Sequence, residues 1–272
     1  MRTLRVSART LQVSVTILDA NVSYGAVYTP TLAPCRTPDD LIGALDWAGI
    51  DRALVTADAI RIGCPSEMNV RVAEALARYP RLEPVWAILP MANSRQDTGE
   101  LGSVSEFLAA MKRYGVRALT AFPSKHRFLL DRLACGELLD AMVERHIPLL
   151  LPLDESSGGR AGWALVAELL QGTPGLRLVA LGSGPWGDDR LFRPLMRRFP
   201  TLYLETSRYE LDGGIAELCR AYGPERLIYG SGYPRFALGG PLLTAMHAAI
   251  PEQDRALVLG GNMLRLLNEV ML

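Results

Sequence analysis

A single (β/α)8 TIM barrel is the fold this sequence predicts, and three observations predict it. Short apolar, β-rich runs recur eight times along the 272 residues, each followed by a longer amphipathic stretch with helix punctuation. Their spacing, about 32 residues per unit, is close to the minimum for a strand, a crossover helix and the next parallel strand. The third observation concerns the first turn. An open doubly wound sheet carries a glycine-rich phosphate loop there, whereas Asp19-Ala-Asn-Val-Ser-Tyr-Gly25 holds one glycine. Strands this apolar are buried on both faces, as parallel barrel strands are.

The expected strands run Val13 to Leu18, Arg52 to Thr56, Pro84 to Leu89, Val116 to Ala121, Pro148 to Leu153, Leu176 to Leu181, Leu202 to Thr206 and Leu227 to Tyr229. Residues 1–12 read as a loose lead to one domain spanning 1–272, because no linker or low-complexity segment divides the chain. Thr37-Pro38-Asp39-Asp40 starts the first helix with a capping hydroxyl, a proline that needs no N–H donor, and carboxylates at the positive end of the dipole. Ser103 and Glu106 have the spacing of a capping box ahead of Phe107, Leu108 and Met111. Gly49, Gly115, Gly172 and Gly223 each stop a helix shortly before the next strand. Glycine and proline gather at 182–187 and 230–241, after strands, which puts those loops on the rim where such barrels do chemistry.

Hydrophobic residues make up 49% of the chain and charged residues 21%, a balance that buries a globular core. Lys+Arg and Asp+Glu number 29 each, and no basic block supplies the footprint of a nucleic-acid or acidic-membrane binder. No run approaches the roughly 18 apolar residues of a membrane span, and the charged start has no apolar segment behind it to act as an export signal. Cys35, Cys64, Cys135 and Cys219 have no metal or redox spacing and read as reduced thiols of a cytoplasmic protein. The three histidines are His126, His146 and His247, too few for a multi-histidine metal centre. No cofactor is expected, the expected partner is a small molecule, and a homodimer is open to it.

Tyr222-Gly-Pro-Glu-Arg-Leu-Ile-Tyr-Gly-Ser-Gly-Tyr-Pro234, followed by Leu259-Gly-Gly-Asn-Met-Leu-Arg-Leu-Leu267, resembles the paired C-terminal motifs of the amidohydrolase-related family (amidohydrolase family 2). Ile17-Leu-Asp-Ala-Asn-Val-Ser23, Arg145-His-Ile-Pro-Leu-Leu-Leu151 and Leu202-Tyr-Leu-Glu-Thr-Ser207 resemble its strand-1, strand-5 and strand-7 segments, so the likeness covers nearly everything after residue 12. The resemblance implies a TIM barrel. In usual members it also implies a divalent metal, held by histidines on strands 1, 5 and 6 and an aspartate on strand 8, which activates water for hydrolysis or serves decarboxylation. Carried over residue by residue, the strand-1 ligands fall on Asn21 and Ser23, the strand-5 ligand on Pro152, the strand-6 ligand on Leu181 or Gly182, and the aspartate on Gly232. Every one is substituted, and amide and hydroxyl oxygens are weak ligands for zinc. The implied scaffold is kept and the implied metal chemistry is not. Phe122-Pro-Ser-Lys-His-Arg-Phe128 resembles a phrase found in short relatives without the metal.

Position at the C-terminal ends of strands selects the candidate residues. Lys125 and His126 follow strand 4 and suit an acid/base or anion-holding pair, with a Schiff-base lysine as a variant and a solvated helix-capping loop as the alternative. Asp154 and Glu155 follow strand 5, where a dry site would raise a carboxylate into the general-base range; Asp154 could instead cap Ser156 or Ser157, or pair with a neighbouring arginine. Lys125, His126 and Asp154 are therefore the catalytic candidates. For substrate contact, Asn21 and Ser23 share one face of strand 1, Glu155 lies beside Asp154, and Trp186 stands in the loop after strand 6 as a lid. Glu205, Arg208 and Tyr209 follow strand 7 and Ser231, Tyr233 and Arg235 follow strand 8, two arginine–tyrosine pairs able to hold a carboxylate. His146, before strand 5, and His247, inside a helix from Leu242 to Ala249, read as structural.

The expectation is a protein that acts on or binds a small anionic or hydroxylated molecule at this rim, as a metal-independent hydrolase or lyase. One rival is a non-catalytic scaffold or binding protein, a pseudoenzyme. Another is a metal-dependent hydrolase with relocated ligands, drawn from Asp58, Asp154, Glu155, Glu205 and His126.

Overall fold

The computed structural model describes residues 15–25, 34–91, 100–184 and 188–272. The expected lead and Trp186 lie outside the described residues. Eight parallel strands pair in sequence order: β1 (Leu18–Tyr24), β2 (Arg52–Ala57), β3 (Leu82–Ala87), β4 (Ala118–Thr120), β5 (Leu149–Pro152), β6 (Leu178–Leu181), β7 (Leu202–Glu205) and β8 (Leu227–Ile228). Hydrogen bonds from the segment after β8 bring the ends of this sheet together. Ala20 N donates to Tyr229 O at 3.0 Å, Gly232 N to Asn21 O at 2.8 Å, and Ser23 N to Tyr233 O at 2.8 Å. With helices between successive strands, this is a single (β/α)8 TIM barrel.

β1 corrects the expected register. Its ladder with β2 runs from Leu18 to Tyr24 with an irregularity between Asp19 and Val22, so the strand begins where Val13 to Leu18 was expected to end. The polar residues Asp19, Asn21 and Ser23 make this stretch read as a strand end. They are strand residues because β1 delivers its polar groups to the barrel mouth, where β2 and the segment after β8 both bond its backbone.

The helix signals are realised locally. Thr37 and Asp40 form a capping box, as do Ser103 and Glu106, so orphan N–H donors at both helix starts are satisfied by side-chain oxygens. Gly49 and Gly115 close helices in the left-handed conformation that a side chain disfavours. His247 caps the helix Gly239–Met246 rather than lying inside it, and His146 sits before β5 with positive φ.

Inside the barrel, Leu18, Leu54, Val85, Leu150, Val179 and Ile228 pack in one cluster with Met263, Leu266 and Leu267 of the terminal helix Asn262–Asn268. That helix plugs the N-terminal end, where Arg117 reaches Asn268 at 3.2 Å and Arg177 reaches Glu269 at 2.6 Å. Burial of each large aliphatic side chain contributes about 1.5–3 kcal/mol. The motif around Asn262 is therefore architectural. Asn262 Nδ2 donates to Pro224 O at 2.7 Å and Leu227 O at 2.8 Å, and a Cβ on Gly260 would meet Thr16 O at 2.3 Å. With the bottom sealed, chemistry is left to the opposite end.

Candidate functional site at the barrel mouth

Two carboxylates, Asp19 on β1 and Glu205 ending β7, are fully buried at the mouth. Glu205 Oε2 accepts hydrogen bonds from Gly182 N at 2.8 Å, Ser207 Oγ at 2.9 Å and Asn21 Nδ2 at 3.2 Å, and Oε1 accepts from Ser207 N. Burial pushes Glu205 up to about 7; the Gly182 and Ser207 donors oppose the rise and the nearby charge of Asp19 adds to it. Asp19 Oδ1 accepts from Ser231 N at 2.9 Å and Asn21 N at 3.0 Å. Burial raises Asp19 to about 6 against those bonds. Tyr229, fully buried nearby, is pushed up by burial and then by the charges of both acids. Among the described residues, Asp19 Oδ2 and the Tyr229 hydroxyl find no hydrogen-bond partner.

Above Glu205, Asn21, Pro152, Leu181 and Gly182 line a cleft of about 120 Å3 together with Asp154, Arg208, Arg235 and Phe236. Arg208 is exposed, with its guanidinium 4.6 Å from the centre of the Phe236 ring. Arg235 Nη1 lies 3.3 Å from Asp154 Oδ2, and Arg61 Nη2 lies 2.8 Å from the same oxygen. Burial would raise Asp154, but the Arg61 hydrogen bond and the charges of Arg61 and Arg235 outweigh it and hold the carboxyl below its usual value. The arginine pairing weighed for Asp154 is thus the arrangement found. A larger hollow, about 750 Å3, lies between the helices Gly162–Gly172 and Asp189–Arg198. Its lining is mainly leucine, proline and Phe199, with Gln171, Thr201 and Arg198 as its polar side chains and no carboxylate, histidine, cysteine or lysine, so the smaller cleft is the candidate site.

The remaining candidates divide by environment. Asn21, Glu205 and Ser231 join the buried network, and Arg208, Arg235 and Asp154 line the cleft. Lys125 is exposed on the short helix Pro123–His126. His126 is half-buried with Nε2 3.1 Å from Ile60 O, and burial holds it below its usual value despite that bond and the Glu155 charge. Glu155 is buried but faces that helix, accepting from Ser124 N at 3.1 Å and from its hydroxyl. Tyr209 is fully buried and donates its hydroxyl to Asp189 at 3.1 Å, so it does not join Arg208. Tyr233 is half-buried, with burial and then the charges of Cys35 and Asp40 raising its phenol; Ser23 is half-buried on β1.

Asp19, Arg61 and Phe236 are the residues that reading the sequence missed. Asp19 had a legible signal, an acid inside an apolar strand motif. Arg61 and Phe236 had none, because their partners come from β5 and β7 loops remote in sequence.

At the positions matching the family's metal ligands, the donors do not fit a divalent ion. Asn21 and Ser23 offer only neutral amide and hydroxyl oxygens, weak ligands for such an ion, and Pro152, Leu181 and Gly182 supply no side-chain ligand at all. Gly232 has φ +72°, and a Cβ there would lie 2.6 Å from Phe236 Cδ2, so the aromatic ring fills the place of the missing carboxylate. Among the described residues, no three His, Cys, Asp or Glu side chains gather as a metal site, and Asp58, Asp154, Glu155, Glu205 and His126 do not converge.

Together, fold and mouth define an eight-stranded α/β-barrel protein with a polar C-terminal rim. The chain belongs to the amidohydrolase family, whose model matches residues 23–268. It is similar to an uncharacterized TIM-barrel protein from Bordetella bronchiseptica, at 18% identity and TM-score 0.69 over 93% of this chain and 99% of that one. It is also similar to 5-carboxyvanillate decarboxylase from Sphingomonas paucimobilis, at 15% identity and TM-score 0.66 over 95% and 100%. A dihydroxybenzoic acid decarboxylase from Polaromonas, with bound manganese and 2-nitroresorcinol, matches at 14% identity and TM-score 0.67 over 93% and 97%. No curated protein matches the sequence. Among the described residues, no helix is long and apolar enough to cross a membrane.

Proposed function

We propose that this protein takes a small carboxylate-bearing or hydroxylated molecule into the rim cleft and acts on it by proton transfer, as a hydrolase or lyase that uses no divalent metal. One observation carries the reading: Arg208 and Arg235 line a cleft whose Asn21 and Gly182 are hydrogen-bonded to Glu205, a fully buried carboxyl that desolvation pushes up to about 7. Guanidinium groups hold a ligand carboxylate in place. Glu205 can give or take a proton at neutral pH once the Asn21 amide shifts aside, and Asn21 orients the substrate. The decarboxylase neighbours carry out lyase chemistry on this fold, and the donor set here favours a route without a metal such as the manganese bound in the Polaromonas structure. Lys125 and His126 stand in this scheme as outer groups that tune the rim. Free, buried Cys35, Cys135 and Cys219 support a reducing, cytoplasmic setting.

The test is a thermal-shift and calorimetric screen of small aromatic acids, lactones and sugar acids on chelator-treated protein, with product analysis of each mixture. At least one acid should bind, Arg208→Ala should weaken it about tenfold or more, and turnover should survive the chelator. Activity that returns only with added zinc or manganese would overturn the reading, as would the absence of any bound acid. A second reading, binding without turnover, is favoured by Asp154: it is the one acid among the described lining residues, and two arginines keep it ionised. Tight binding with no product supports that reading instead.

A further inference from the structure

Asp154 follows β5, whereas Arg61 follows β2 and Arg235 follows β8, so this three-residue bridge joins elements that share no strand ladder. Both guanidinium groups meet one oxygen, Oδ2, at 2.8 and 3.3 Å. The members differ in how firmly they are held. Arg61 has 19% of its side chain exposed, lies 5.5 Å from the centre of the Phe122 ring, and is 3.6 Å from buried Glu155. Arg235 is 36% exposed and Asp154 52%, so Arg61 is the anchored member and Asp154 the one most open to solvent. An ion pair that exposed is weakened by water and by salt, so breaking it costs little. The cleft walled by Asp154 and Arg235 measures about 120 Å3, well below the roughly 300–1,000 Å3 of ordinary small-molecule sites.

We infer that Arg61 and Arg235 form the carboxylate-binding subsite of the cleft, and that Asp154 occupies it as an internal stand-in which a ligand carboxylate displaces. Exchange of one carboxylate for another leaves both arginines paired, and the acid that swings out gains water. A neutral amide or ester of the same shape would not replace the charge that Asp154 gives Arg235, and would leave Arg61 with Glu155 alone, so the subsite selects the ionised acid. The departure of Asp154 also removes one wall of the cleft and enlarges it. Arg61 belongs to neither strand-end motif nor metal-ligand position, and this role rests on the reading that the ligand is a small carboxylate.

Isothermal titration calorimetry with acetate and benzoate, and with acetamide and benzamide as neutral counterparts, tests the inference on wild type, Asp154→Asn, Asp154→Ala and Arg61→Ala. The two Asp154 variants should bind the acids about threefold to tenfold more tightly than wild type, Arg61→Ala should bind them more weakly, and the amides should gain nothing. Two neutral replacements guard against one that fails to fold. If the acids bind wild type but bind the Asp154 variants no more tightly, displacement is refuted while the proposed function stands. If the acids bind no form of the protein, the proposed function fails and takes the subsite with it.

Discussion

A methyl group at position 230 would lie 2.6 Å from Oε1 of Glu205 and 2.8 Å from its Cδ, so the Glu205 carboxylate occupies the space that a side chain at Gly230 would need. Glu205 cannot yield that space cheaply. It is fully buried, and Gly182, Ser207 and Asn21 all donate to it.

Gly230→Ala should therefore destabilise the fold by about 1–3 kcal/mol, the usual cost of overpacking a filled interior. Urea denaturation midpoints at fixed pH measure it. An unchanged midpoint would mean that the carboxylate moves freely, contrary to its bonding.

The two buried acids predict an unusual pH dependence. Glu205 rises from its ordinary 4.5 to about 7 in the folded chain and Asp19 from 3.8 to about 6, so the folded state holds protons that the unfolded state has released. Stability from this pair is fully present below about pH 4 and is lost as pH rises through the folded values, on the order of a few kcal/mol between pH 4 and 7. Carboxyls held low, such as Asp154, act oppositely and at lower pH. Unfolding free energy across pH 4.5 to 8 should thus slope downward in wild type and flatten in Glu205→Gln. Equal slopes in the two proteins would exclude Glu205 as the source.

Restoring a carboxylate at the end of β8 should not restore a metal site. Gly232→Asp puts a side chain at φ +72° and into the Phe236 ring, and should cost about 1–3 kcal/mol. Phe236→Ala in the same chain should recover part of that by vacating the space. Calorimetric zinc titrations and melting curves of both variants check the pair; stoichiometric zinc in Gly232→Asp alone would contradict it.

Asn262→Ala removes two buried hydrogen bonds to the Pro224 and Leu227 carbonyls and should destabilise the chain by about 2–4 kcal/mol. Ligand affinity at the opposite end of the barrel should stay within about twofold of wild type. A binding defect that exceeds the stability defect would assign the terminal motif a role beyond architecture.

The barrel was legible because its determinants are local and repetitive. Eight apolar runs, the Thr37 and Ser103 caps and the glycine stops at Gly49 and Gly115 each act within a few residues, and a parallel sheet of that period has few other ways to bury itself. The edges were less legible: β1 begins later than expected because Asp19 and Asn21 look like loop residues until their partners across the barrel are known.

The sequence alone determined the fold, the neutral charge, and which residue types stand where relatives keep metal ligands. It placed Glu205 and Arg235 at strand ends, on the C-terminal rim. Tertiary structure alone decided what those residues meet. Lys125 turns to solvent, Tyr209 is committed to Asp189, and Asp154 is held by Arg61 and Arg235 from the segments after β2 and β8. Burial of Glu205 beneath Asn21, which brings its proton into the neutral range, was likewise a tertiary outcome. The physical reason is range. Strand and helix periods are set by neighbours along the chain, whereas desolvation and ion pairing at a barrel mouth are set by side chains from strands up to about two hundred residues apart, whose approach no local pattern encodes.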